Sequence, residues 1–301
     1  MASRRKSKRI LKRSRPAQSD FRIIEMFNFK KTLALTTSLL LGVLVSCGLT
    51  GKPMKLTDFF KPDMVELIRT IEKGDEDKAR ALIERGLSLN VHGDEGITPL
   101  FWLTMQKDKS GMRLAIKLGA DPDFADPKGD TPLTLITGGN DNELLLILLE
   151  GGANPNVVDR NGHPAIFGAI GKERLEQIKM LMRFGADINL TNRSSDNSAM
   201  YAAAINKFEI AHYLIEQDVD YAARNKARGD IAWDVHDKLS NNLLSLEYPA
   251  YGWALKVKQQ LIDRGVKFPP LSPREVRWKE GKPNKYDIKA REKERLEKQG
   301  D

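Results

Sequence analysis

Gly119-Ala-Asp-Pro-Asp123 and, ten residues after its first glycine, Gly129-Asp-Thr-Pro-Leu133 decide the fold when they are read together. The first segment recurs as Gly152-Ala-Asn-Pro-Asn156 and Gly185-Ala-Asp-Ile-Asn189, at steps of 33 residues, and Gly86-Leu-Ser-Leu-Asn90 precedes it by the same step. Asp218 stands where the next glycine would fall. The second segment keeps the period as Gly96-Ile-Thr-Pro-Leu100, Gly162-His-Pro-Ala-Ile166 and Ser195-Asp-Asn-Ser-Ala199. Two markers in one register describe a stacked repeat, not a single closed core.

Each mark has a physical reading. Thr98 and Thr131 cap a helix whose first position is Pro99 or Pro132, where no backbone donor is lost. Gly119, Gly152 and Gly185 end a second helix as left-handed closing residues. Leu145, Leu148 and Leu149, or Ile210, Leu214 and Ile215, form apolar faces at helical spacing, and Ala202 and Ala203 let helix pairs approach. No single copy buries its apolar face, so the copies must stack.

The two markers resemble the opening and close of the ankyrin repeat. The resemblance covers about 58–268 and implies an all-α ankyrin-repeat solenoid: stacked helix-turn-helix units with β-hairpin tips. The expected organisation is an N-terminal cap at 58–91, with helices near 63–73 and 76–85 and Asp75 capping the second. Units follow at 92–124, 125–157, 158–190 and 191–223. A sixth, degenerate unit begins at Gly229, and its close, Gly265-Val-Lys-Phe268, lies 47 residues after Asp218. The excess is assigned to a loop at 241–251 between the last two helices. Asn197-Ser198 replaces Thr-Pro, and Asp230 is the nearest cap before Ile231. Beyond the pattern lies a charged tail at 269–301, where Pro269, Pro270 and Pro273 stop a helix. Its alternating charges from Asp287 to Gln299 suit a solvated helix or a frayed end.

The formal charge of +8 first suggests a nucleic-acid or anionic-membrane partner. Residues 1–46 hold eleven Lys/Arg against Asp20 and Glu25, a balance of +9, so 47–301 carries −1 and nucleic acid is not expected. Within the leader, Lys30-Lys31 precede an apolar run from Thr32 to Val45, too short for a span of about 20 residues and typical of a secretory signal. Leu44-Val45-Ser46-Cys47 resembles the lipobox of bacterial lipoproteins, which implies cleavage before Cys47, lipidation of its thiol and tethering to a membrane. Cys47 is the sole cysteine, so no disulfide forms within the chain. The expected divisions are a basic upstream extension at 1–25 outside the mature protein, a signal peptide at 26–46 and a linker at 47–57. Read instead as a nuclear or RNA-binding patch, Arg4 to Arg13 would mark a cytosolic or nuclear regulator.

Neither catalytic nor metal-binding residues are expected, and no cofactor. His92, His163, His212 and His236 fall in different repeats without ligand spacing. Asp121, Asp123, Asp126 and Asp130 read as turn chemistry, not a calcium loop. The resemblance implies a protein partner held by tips and first-helix faces. At the tips these are Asp94, Glu95 and Ile97; Pro127, Lys128 and Asp130; Arg160, Asn161 and His163; Arg193, Ser194 and Asp196. Trp102, Met105, Gln106, Lys172 and Ile205 would add the helix face. Arg160 and Arg193, side by side, would suit an acidic surface. Ankyrin-bearing bacterial lipoproteins include immunity proteins for toxic type VI secretion effectors, often lipases. The expected protein is therefore an extracytoplasmic binding module on the periplasmic side of the outer membrane, monomeric when unbound. An envelope adaptor is the rival reading.

Overall fold

The protein is described by a computed structural model covering residues 54–297. The expected upstream extension and signal segment, and Cys47, lie outside the described residues. The described residues form seven successive helix pairs. They are α1 (Pro62–Glu72) and α2 (Glu76–Glu84), α3 (Pro99–Met105) and α4 (Lys109–Lys117), and α5 (Pro132–Ile136) and α6 (Asn142–Glu150). Next come α7 (Ala165–Gly171) and α8 (Leu175–Arg183), α9 (Ser198–Ala204) and α10 (Phe208–Glu216), and α11 (Ile231–Ser240) and α12 (Pro249–Asp263). α13 (Pro273–Lys279) and α14 (Lys285–Glu297) close the order. A 3-10 turn, Leu56–Asp58, precedes them, starting two residues before the expected boundary.

The capping chemistry runs as the sequence predicts. Asp75 accepts from the Lys78 N–H, Thr98 from Phe101 and Thr131 from Thr134, each with the following helix started in place. In the degenerate openings Asn197 accepts from Met200 and Asp230 from Trp233, so the cap survives the loss of Thr-Pro. The closing glycines adopt positive φ, +98° at Gly119, +93° at Gly152 and +90° at Gly185. Asp218 holds the same position at +59°, which an L side chain adopts at a cost. Between pairs, Leu67, Leu103, Leu133, Leu145, Leu148, Ile178, Leu181, Leu214 and Val235 are fully buried, and Ala202 and Ala203 lie in the same layer.

A second ladder stitches the units. Asn90 accepts from the Asp121 N–H and donates to the Gly119 carbonyl. Asp123 accepts from Asn154, Asn156 accepts from Asp187 (2.7 Å) and donates to the Gly185 carbonyl (3.0 Å), and Asn189 accepts from Asp220. One side chain at the close of each unit thus satisfies backbone of the next.

Three expectations need correction. The tips contain no strands among the described residues: each is a tight turn, with one isolated antiparallel bridge, Val158 to Pro164. The inserted loop ends at Tyr248, because Pro249 opens α12 at a position where its missing N–H costs nothing. The tail is not frayed: its last helix is largely solvent-exposed beyond Asp287, as expected, but the segment is anchored to the stack. Ser272 and Glu275 form a reciprocal capping box on α13, with Pro273 at its start. Val276 is buried, and Arg277 grips the buried Asp287 with two 2.7 Å bonds while donating to the Ala227 carbonyl of the last tip. Residues 273–297 are therefore a seventh helix pair, entered without the kind of tip that precedes the second to sixth.

Candidate interaction surface

Five tips stand in one register, closed by N–H to carbonyl bonds from Gly93 to Ile97, Asp126 to Asp130, Asp159 to His163, Asn192 to Asp196 and Asn225 to Gly229. In the last four, the opening Asp or Asn turns its own oxygen onto two N–H groups of the turn. Asp126 receives Lys128 and Asp130, Asp159 receives Asn161 and His163, Asn192 receives Ser194 and Asp196, and Asn225 receives Ala227 and Gly229. This fixes each tip before any partner arrives. It is also where the Asp121–Asp130 oxygens go: Asp121 to its own turn, Asp123 to the next unit, Asp130 to Arg160.

Tips are joined to one another. Asp130 accepts from the Arg160 N–H at 3.0 Å, and its carboxylate meets the Arg160 Nε at 3.3 Å. Burial pushes the Asp130 carboxyl above its ordinary range against the pull of Arg160. Arg193 donates to the Arg160 carbonyl (2.7 Å), and Lys226 N–H to the Ser194 carbonyl. Burial also raises the Asp159 carboxyl, but bonds from His163 and Asn161 outweigh it and hold the group low. His163 lies 6.2 Å from the Phe167 ring and 6.1 Å from Tyr201, and those two rings stack at 4.3 Å.

Of the residues expected at the surface, Asp94, Glu95, Gln106, Pro127, Lys128, Lys172, Arg193 and Ser194 are exposed. Met105, Asp130, Arg160, Asn161, His163, Asp196 and Ile205 are half-buried. Two expectations fail. Ile97 is buried beneath its tip, and Trp102 is buried, 5.9 Å from the Phe59 ring, with its indole N–H donated to Glu72 Oε1. Its ring fills the interface between the first two units and is not available as an anchor. The expected pair of free guanidinium groups is also corrected: Arg160 is ion-paired to Asp130, and only Arg193 is exposed.

Sequence reasoning passed over the fifth tip, Asn225–Gly229, where Lys226 continues the series Arg160, Arg193 at the same step. The period itself could have found it. Beyond Trp102, sequence reasoning also did not follow the row Leu135, Gly168, Tyr201, Asp234, the same position on the first helix of each later unit. A further groove of about 720 Å³ opens between α11 and the last helix pair, lined by Trp233, His236, Pro270, Trp278 and Arg291.

Stacked helix pairs joined by tips of this geometry define a repeat solenoid. Residues 135–225 match the family model for ankyrin repeats, in three copies. No curated protein matches the chain. The described residues form an all-α solenoid of the ankyrin-repeat fold, and ankyrin repeats indicate a protein-interaction module.

Proposed function

We propose that this solenoid is a lipid-tethered, extracytoplasmic module that binds a toxic protein effector and neutralises it, on the periplasmic side of the outer membrane. The observation that carries the binding half is the row of five preformed tips, each locked by its own hydrogen bonds. A preformed row loses little conformational entropy when a partner docks. Leu44-Val45-Ser46-Cys47 supports the tether, and with nine residues from Cys47 to Leu56 the linker reaches at most about 30 Å. The charge of −1 from Cys47 onward supports a protein partner over nucleic acid.

The two halves are tested separately. Cys47→Ser should abolish fatty-acid labelling and release the protein from membranes; a variant that stays membrane-bound, with unlabelled wild type, rejects the tether. For binding, Lys128 and Lys226 are exposed on tips of different units. Lys128→Glu with Lys226→Glu should cut recovery of the partner that co-purifies from the native host by about tenfold or more, the effect of losing about 1.4 kcal/mol. Unchanged recovery, with unchanged helical content, removes the tips from the interface.

A further inference from the structure

Pro269 and Pro270, on the link between α12 and α13, line one groove with Trp233 and His236 of α11 and Trp278 of α13. Its volume of about 720 Å³ is that of a site for a small ligand or a few residues of peptide. The wall is held in place before anything binds. Arg277 ties α13 to α14 through Asp287, and to the fifth tip through the Ala227 carbonyl. A slot of two indoles and two prolines, fixed in this way, presents apolar surface that no element of the stack covers.

The charged and polar side chains around the slot are unevenly satisfied. Its two carboxylates are taken. Glu294 accepts from both terminal nitrogens of Arg274, at 2.7 and 3.0 Å, and Glu275 accepts from the Ser272 N–H and hydroxyl, at 2.7 and 2.8 Å. Two donors remain open. The Trp278 indole Nε1 is buried and has no hydrogen-bond partner. Arg291 is exposed, lies over the Trp278 ring at 4.5 Å and pairs with no carboxylate among the described residues. A buried N–H without an acceptor is costly, and a guanidinium that meets only a ring face keeps its donors open. An apolar slot with its acids engaged and two donors open is complementary to an anionic acceptor.

Resting on the reading of the solenoid as a protein-binding module, we propose that this groove holds an extended acidic segment of the partner. An apolar residue of the segment fills the slot at Trp233, Pro270 and Trp278, and the carboxylate beside it pairs with Arg291. That pair is charge-assisted and bidentate. It draws the guanidinium off the Trp278 ring, and a backbone carbonyl of the same segment becomes the acceptor for the indole N–H. An extended segment has carbonyls free for this, because it makes no hydrogen bonds within itself. Charge favours the same partner elsewhere on the molecule. Lys128, Arg193 and Lys226 stand exposed on the tips, and the fifth tip adjoins the groove wall through Arg277.

The probe is the blocked tripeptide acetyl-Leu-Glu-Leu-amide at millimolar concentration, with acetyl-Leu-Gln-Leu-amide as its uncharged isostere, titrated into the full chain by NMR. The chain has four tryptophans, so the indole N–H signals are assigned by single substitution. The glutamate peptide should move the Trp278 indole proton downfield and shift Trp233, while Trp102, buried between the first two units, stays in place. The glutamine peptide should bind about tenfold or more weakly. Arg291→Gln should remove the difference between the peptides, and Arg291→Lys should restore part of it. Trp278→Phe keeps a ring and drops the donor, and should weaken the glutamate peptide several-fold. If a variant fails to fold, the two peptides on the wild type decide alone. No shift from the glutamate peptide, equal binding of the two peptides, or equal binding by wild type and Arg291→Gln overturns the acidic site. That failure leaves capture through Lys128 and Lys226 standing, because those tips are read with the native partner.

Discussion

The left-handed residue that closes each second helix sets the tolerance of every unit. At Gly152 a Cβ would meet nothing within 4 Å, so the only cost of a side chain there is the backbone at φ +93°. Gly152→Val is expected to destabilise by about 1–2 kcal/mol, read as a lower denaturation midpoint with unchanged slope. Asp218 supplies the reverse experiment, since it already carries that strain at +59°. Its one contact here, Arg264 at 3.2 Å, leaves the Asp218 side chain 87% exposed, so losing the pair matters little. Asp218→Gly should therefore stabilise by about 1 kcal/mol. A fall in midpoint would mean that the pair with Arg264 outweighs the strain. Asn156 tests the ladder: alanine there strands the Asp187 N–H and the Gly185 carbonyl at once and should cost about 1 kcal/mol.

Among the elements, α11 combines two shifted groups whose signs are opposite. Burial raises the Asp234 carboxyl to about 7 and lowers the Lys238 ammonium to about 8. Between about pH 4 and 7 the folded state holds the Asp234 proton that the unfolded chain has lost, so stability falls as pH rises. Between about pH 8 and 10 the unfolded chain holds the lysine proton that the folded state has lost, so stability rises again. Chemical denaturation across pH should show a trough near pH 7–8, and Asp234→Asn should flatten its acid side; an unchanged acid limb would mean that Asp234 is ordinary. Little of this was legible in the sequence. Helix limits, caps and the 33-residue register follow from local rules that Thr98, Pro99 and Gly152 obey within a few residues of themselves. The fates of Trp102, Arg160 and Asp234 depend on what the preceding unit places against them, namely Glu72 and Phe59, Asp130, and Asp196. Ser272-Pro273 repeats the opening chemistry of Thr98-Pro99, but it stands seven residues after Gly265 where the others stand twelve after their glycine, which hid the final helix pair.

Across the solenoid, stability is a chain of neighbour terms, so its ends are its weak points. The last pair is held to the sixth unit through Arg277, which joins Asp287 to the Ala227 carbonyl, and through the pair Arg228 to Glu280 at 2.9 Å. Asp287 is kept below the ordinary carboxylate range chiefly by the Arg277 guanidinium. Arg277→Met should cost about 2 kcal/mol. Hydrogen exchange should place the loss in residues 225–297 and leave α1 to α8 protected. Exchange that quickens evenly along all the helices would instead mean that the stack melts as one unit. The ladder of Asn90, Asp123, Asn156 and Asn189 carries a different consequence, for how such a chain can change length. Each rung reaches one unit forward and asks only for a backbone N–H at a fixed offset. Excision or duplication of 33 residues therefore splices one rung onto an equivalent neighbour, whereas any other length leaves a rung facing the wrong residue. The molecule can be lengthened or shortened like a necklace, by whole beads.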